Sequence, residues 1–256
     1  DKSDAQIHEY CSQIQTYLND GIMREIVESH NVDFKECQLV LKNELIISRG
    51  LFLAKKRYAI HITNNEGVSC DEVNYMGIEV KRSDYPSKSK EFLKELLDII
   101  LKKENITVPK LFGFVHSKEK EFRRLILNGD KSIARPVSFG KELSVYKLIP
   151  QGVKAMLAFN DISYTAHYPG SRGYMFRVSG IDYNKAPQEV IDNYEKNFIA
   201  KGKKLEVVAI PDEEARLPEY YIPDVKGNLD FCFVARYNLM LDPLMKVKKA
   251  QELLTI

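Results

Sequence analysis

"GLFLAKKRYAIHIT" (residues 50–63) sets three consecutive cations, Lys55, Lys56 and Arg57, inside a run of apolar and β-branched residues. The run reads as a strand. On a strand successive side chains alternate between faces, so Lys56 and Tyr58 share one face and Lys55 and Arg57 the other. A long cation beside a flat, hydrogen-bonding aromatic suits a duplex minor groove, whose acceptors occur on every base pair. The same charges on an edge strand would also discourage aggregation. Both readings stand on these residues alone.

Outward from this run, the chain begins with an amphipathic helix over 5–19, where Ile7, Tyr10, Cys11, Ile14, Tyr17 and Leu18 recur at helical spacing. A second helix is expected over 20–30. "CQLVLKNELIIS" (37–48) and "VNYMGIEV" (73–80) read as further strands, and Asn64-Asn65-Glu66-Gly67 as a turn. Residues 37–80 are therefore expected to form an antiparallel meander. Pro86 marks a change of style. "KSKEFLKELLDIILKK" (88–103) reads as a strong helix, and "SKEKEFRRLILNG" (117–129) as a shorter one stopped by Asn128-Gly129. Loops and short strands follow. A helix over 188–202 closes at Gly202, with a strand over 203–210 and a last helix over 239–255. The fold class is α+β, with a boundary near 80–87.

Composition excludes several classes. Of the 256 residues, 44% are hydrophobic, too many for a wholly disordered chain. No apolar run reaches the ~18 residues of a membrane span. Cys11, Cys37, Cys70 and Cys232 lack ligand spacing and read as reduced thiols of a cytosolic protein. The five histidines are scattered, which points away from a metal–histidine site. A chain starting at Asp1 with no basic-then-apolar leader is read as a piece of something longer. The net charge of +2 conceals a gradient. Residues 1–40 hold 3 basic and 8 acidic side chains (−5), whereas residues 81–160 hold 17 and 9 (+8). A basic middle of this kind fits one polyanion-facing surface or a solvated lysine-rich face.

"ELIISRGLFLAKKRYAIHI" (44–62) followed by "YMGIEVKRSDYP" (75–86) resembles the palm–thumb junction of family B DNA polymerases, nearest to those of T-even-type tailed phages. The family motif K-K-R-Y is matched by Lys55-Lys56-Arg57-Tyr58, and M-G-x-E-x-x-x-S-x-x-P by Met76-Gly77-Ile78-Glu79 through Ser83 and Pro86. "FRRL" (122–125), "IARPVSFGKELSVYK" (133–147) and "RGYMFRVSGIDYN" (172–184) resemble thumb segments more weakly.

The resemblance implies that residues 1–80 end a palm of antiparallel strands with a flanking helix, and that 81–256 form a mainly helical thumb. It implies that Lys56 and Tyr58 meet the minor groove at the primer terminus. Lys55 and Arg57 would brace the palm or reach phosphate. Ser138, Lys141 and Lys147, with Arg172 and Arg177 as lesser candidates, would follow the duplex backbone. Glu44 matches an acidic palm position near the catalytic centre, and an exposed strand glutamate reads equally well. The family's Mg2+ carboxylates, in D-x-x-S-L-Y-P-S and D-T-D-S, do not occur here, nor do its nucleotide-gripping and exonuclease motifs. The chain is thus expected to be inactive alone and to work with the rest of a polymerase, in the same chain or as a split subunit. The alternative is a non-catalytic duplex-DNA-binding module. The implied setting is the cytoplasm of a phage-infected bacterium, with primer–template DNA as partner. Gln251 and Leu254 hint at a sliding-clamp peptide, against a plain C-terminal helix.

Overall fold

Residues 50–63 form two strands, not one. In the computed structural model, which describes residues 4–102, 107–163 and 167–234, strand β1 (Leu45–Ala54) ends at a two-residue turn, and Arg57 opens β2 (Arg57–Asn65). Lys55 and Lys56 are the turn itself. A connection this short makes the pair antiparallel. The alternation argument therefore fails at the cations. Lys56 sits at φ +59°, the left-handed region that a side-chained residue rarely occupies.

The partner that fixes this turn is Gly77, also left-handed at φ +63°. A Cβ added there would lie 2.1 Å from the Lys56 carbonyl oxygen and 3.0 Å from Arg57 Cγ. Only a bare Cα fits so close to another backbone. The third strand, β3 (Val68–Met76), accordingly stops at Met76. The expected strand over 73–80 breaks at Gly77, and Glu79–Lys81 turn into a 3₁₀ segment that buries Val80. The β2–β3 turn, Glu66-Gly67, has φ of +50° and +91°, both positive as a type I′ turn requires. Asn64 Oδ1 accepts the Gly67 N–H at 2.8 Å.

The described residues form two compact units: Asp1–Leu51 with Ala59–Asn74, and Phe52–Tyr58 with Tyr75–Ile256. In the first, one helical run contains α1 (Asp4–Thr16), a wide π segment (Tyr17–Ile22) and α2 (Met23–Ser29). Residues 37–44 are irregular, so the expected strand over 37–48 begins only at Leu45. Helix side chains take the hydrogen bonds a neighbouring strand would have made. Asn19 Nδ2 donates to the Leu41 carbonyl and its Oδ1 accepts the Leu41 N–H, both at 2.8 Å. Gln15 Oε1 accepts the Asn43 N–H at 3.1 Å. The three strands lie in the order β1-β2-β3.

In the second unit, α3 (Ser87–Lys102) buries Phe92, Leu93, Leu96, Leu97, Ile100 and Leu101. Helix α4 (Val108–Leu127) is longer than the sequence indicates, because Pro109 sits in its first turn, where proline is tolerated. Phe92 meets Phe122 edge-on at 6.1 Å and stacks on Phe114 at 6.0 Å. Lys88–Glu121 and Lys118–Glu95 pairs tie the two helices at the surface. Helices outweigh strands here, but the centre is a four-stranded antiparallel sheet of β4 (Arg135–Ser138), β5 (Arg172–Ile181), β6 (Val207–Pro211) and β7 (Tyr221–Pro223). The long strand β5 pairs with the other three.

Helix α5 (Gln151–Asn160), in a region the sequence reads as loop and short strand, packs on β4 and β6. Its Val153, Ala155 and Met156 join Phe139, Met175 and Ala209 in one core. Helix α6 (Gln188–Tyr194) runs into a π segment ending at Ile199, and Gly202 at φ +61° closes it as expected. Strand β6 starts at Val207, later than expected. A short α7 (Val225–Leu229) follows β7. The expected helix over 239–255 and the clamp-like Gln251 and Leu254 lie outside the described residues.

Buried His167 ties β6 to α5. Its Nε2 donates to the Ala209 carbonyl at 2.8 Å, and its N–H is accepted by Asn160 Oδ1 at 2.6 Å. Burial pushes its pKa below the usual value.

Two predictions follow from these contacts. In chemical denaturation Gly77→Ala should lose about 2–4 kcal/mol, since it adds a backbone clash to left-handed strain. Gly67→Ala, where a Cβ meets nothing within 4 Å, should lose only about 1–2 kcal/mol. Equal losses would contradict the Gly77–Lys56 contact. Below about pH 6.5 the unfolded chain binds a proton that folded His167 resists, so stability should fall as pH drops from 7 to 5.5. His167→Gln, measured by thermal unfolding, should flatten that slope. An unchanged slope would remove His167 as its source.

Candidate nucleic-acid interface

At the hairpin tip the two lysines and the arginine behave differently. Lys55 and Lys56 are exposed, and neither ammonium has an ion-pair or hydrogen-bond partner among the described residues. Arg57 turns back. Its Nε donates to the Gly77 carbonyl at 3.2 Å and its Nη2 to Glu79 Oε1 at 2.8 Å. The Glu79 side chain is 12% exposed, so this ion pair is shielded from water and salt on one side. The two halves of the motif, Lys55–Tyr58 and Gly77–Glu79, are thus one physical object. Arg57 braces the turn and leaves Lys55 and Lys56 presented outward. Behind them Tyr58, half-buried, lies 5.9 Å from the Phe52 ring, which is 66% exposed. Cations flanked by an exposed aromatic face can meet phosphate and sugar together.

A second group of the expected residues gathers at the edge of the four-stranded sheet. Ser138 closes β4 opposite Arg172, which opens β5. Both are exposed. The loop after β4 is pinned by Phe139, buried in the core, whose N–H is bonded by the Ser171 carbonyl at 2.9 Å. Tyr146 packs on the same core, and its hydroxyl accepts the Lys141 N–H at 3.1 Å. With Phe139 and Tyr146 held inward, Lys141 and Lys147 project outward on a fixed loop.

Arg177 lies elsewhere, midway along β5. The buried amide of Asn228 clamps its backbone, accepting its N–H at 2.9 Å and donating to its carbonyl at 2.7 Å. Glu44 belongs to the first unit. Its carbonyl accepts the Glu66 N–H at 2.7 Å, and its side chain is exposed.

The junction "VKRSDYP" contains a charge relay that the motif match does not signal. Asp84 takes both Arg82 Nε (2.9 Å) and Arg82 Nη2 (3.0 Å), and Arg135 Nη2 at 3.3 Å. Its hydrogen bonds with Arg82 hold the Asp84 carboxyl below the usual carboxylate range. Below the junction lies a cleft of about 580 Å³, reached by Ser83, Lys90, Lys131 and Arg172. Of these, Ser83 belongs to the junction motif and Arg172 is a candidate from the thumb segments. The others come from segments far apart along the chain, so no local spacing could mark them.

Among the described residues no group of three histidine, cysteine, aspartate or glutamate side chains is placed to hold a metal ion. Among the described residues, no helix is long and apolar enough to cross a membrane.

No protein-family model matches the chain, and no curated protein matches it. Among solved structures it is similar to the family B DNA polymerase from the hyperthermophilic archaeon Pyrobaculum calidifontis, with a TM-score of 0.48 and 18% identity. The match covers 93% of this chain and 24% of that one, so the chain spans about a quarter of that polymerase.

If Arg57 braces the tip, Arg57→Ala should raise amide hydrogen exchange at 55–58 about tenfold or more, in line with losing a charge-assisted bond. Exchange at 172–178 should not change. Equal exchange at the tip in both proteins would mean that the turn holds its shape without Arg57.

Proposed function

We propose that this chain is the end of the palm and the thumb of a family B DNA polymerase, and that it grips primer–template duplex during template-directed nucleotidyl transfer. The observation that carries this reading is the hairpin tip. Arg57, fixed by Gly77 and Glu79, leaves Lys55 and Lys56 presented without local counter-charges, beside Phe52 and Tyr58. Lysines without local partners cost little to bring onto phosphate, since no ion pair must first break. The order and spacing of K-K-R-Y and M-G-x-E…P support the same reading, and the Arg57 contacts give that spacing a physical reason.

In this reading Lys56 and Tyr58 track the minor groove at the primer end, and Lys55 reaches nearby phosphate. Lys141, Lys147, Ser138 and Arg172 follow the backbone further along, with Arg177 a lesser contributor. The chain positions the duplex. Metal-dependent transfer belongs to carboxylates outside this sequence, on the same polypeptide or on a companion subunit. Residues 1–80 act as palm and 81–256 as thumb.

Duplex binding should weaken steeply with salt, because each phosphate contact releases condensed counterions. Lys55→Ala should reduce the log–log salt slope by about 1 and weaken all sequences alike. A flat salt response, or strong sequence preference, would contradict a backbone grip. In the complete polymerase Lys56→Ala should slow primer extension more than it weakens duplex affinity, because misplacing the primer end costs reactive geometry. Extension at the normal rate would remove that assignment.

A further inference from the structure

The second unit also holds a cleft of about 580 Å³ that the motif match gives no role. It lies within the range of small-ligand sites. Five separate segments wall it: Ser83–Ser87, Lys90 on α3, Asp130–Ser132, Pro136–Val137 at β4, and Arg172–Tyr174 on β5, with Asp212 at its edge. Three cations converge on it. Lys90 is partly exposed, and its ammonium has no ion-pair or hydrogen-bond partner among the described residues, so it is open to an anion. Arg172 is likewise without an ion pair among them. Lys131 is held in place, its Nζ donating to the Asp212 carbonyl at 2.8 Å and sitting 4.9 Å from the Tyr174 ring centre.

Two carboxylates also line the cleft, and both are engaged. Asp130 Oδ1 accepts the Ser132 N–H at 2.8 Å. Asp212 has Lys131 Nζ at 3.9 Å. The cleft therefore keeps an excess of cationic donors, with the Ser83 hydroxyl at its lip. Planar guanidinium and ammonium donors around a small hydroxyl-lined space are the chemistry of phosphate recognition.

We infer that Lys90, Lys131 and Arg172 form a discrete phosphate-binding site. Its ligand is one phosphate group, supplied by a backbone diester of bound duplex or by a free phosphate monoester such as a mononucleotide. The duplex source rests on the function proposed above, whereas the phosphate chemistry rests on the cleft alone.

The test uses inorganic phosphate as probe. Its ³¹P line should broaden on addition of the protein and saturate on the order of millimolar. Lys90→Gln with Arg172→Gln should weaken this about tenfold or more, with an unchanged circular dichroism spectrum. Lys131 is left intact because it bonds Asp212. Adding blunt duplex should sharpen the line if a diester fills the cleft, and leave it broad if the site takes a free monoester. Either response assigns the source. No broadening with the unaltered protein, or equal broadening with the double variant, would overturn the site. Should the double variant unfold, Lys90→Gln alone serves, with the same two outcomes deciding. Lys90 lies outside the proposed grip, so Lys90→Gln alone separates the two: phosphate broadening equal to that of the unaltered protein overturns the site, whereas a flat salt response of duplex binding overturns the grip.

Discussion

Gly77 sits so close to the Lys56 carbonyl that no side chain fits between them, and much of the structure follows from that approach. It fixes a left-handed lysine at a hairpin tip. It ends β3 at Met76 and turns the chain toward the buried Ile78 and Val80. It also brings the Gly77 carbonyl and the Glu79 carboxylate to the Arg57 guanidinium. One close backbone contact thus orders a three-cation run. The third cation becomes structural, and the first two are left exposed.

The second unit solves a related problem at larger scale. A long, mostly buried strand, β5, is paired by three others and packed by α5, which holds its backbone in place. Charged residues sit where strands and loops leave that core: Arg172 at the start of β5, Lys141 and Lys147 on a loop nailed down by Phe139 and Tyr146. Positive charge is useful for gripping a polyanion only if its position is fixed, since an ordered side chain gives up less entropy on binding. The asymmetry between acidic residues 1–40 and basic residues 81–160 fits this division of labour in the proposed grip.

The helices with strong periodicity were legible. Residues 88–103 carry Phe92, Leu93, Leu96, Leu97, Ile99, Ile100 and Leu101 at helical spacing, and the structure buries all of these but Ile99. The hairpin was not, for a physical reason. Lys55-Lys56 carries no glycine, asparagine or proline, and what allows the turn is Gly77, twenty-one residues beyond Lys56. The run at 37–44 looked like a strand because Leu39, Val40 and Leu41 are β-prone, yet they are exposed. Asn19 and Gln15, polar residues on a distant helix, decide that segment. Helix α5 escaped notice behind Pro150 and Gly152, although Pro150 precedes its first turn, a position that suits proline. Gly152 is small because Val137 leaves no room for a Cβ. The cleft lined by Lys90, Lys131 and Arg172 is beyond reach of any local pattern, since its cations stand far apart along the chain.

The central claim is that the Lys55–Lys56 tip meets duplex DNA at the primer end. The most direct measurement places a photo-crosslinking side chain at Lys56, irradiates the chain bound to a recessed primer–template, and maps the attached nucleotides. The account predicts adducts confined to the base pairs beside the primer 3′ terminus, on minor-groove atoms and sugars. Adducts spread evenly along the duplex, or none above those from a crosslinker placed at exposed Glu189, would contradict it.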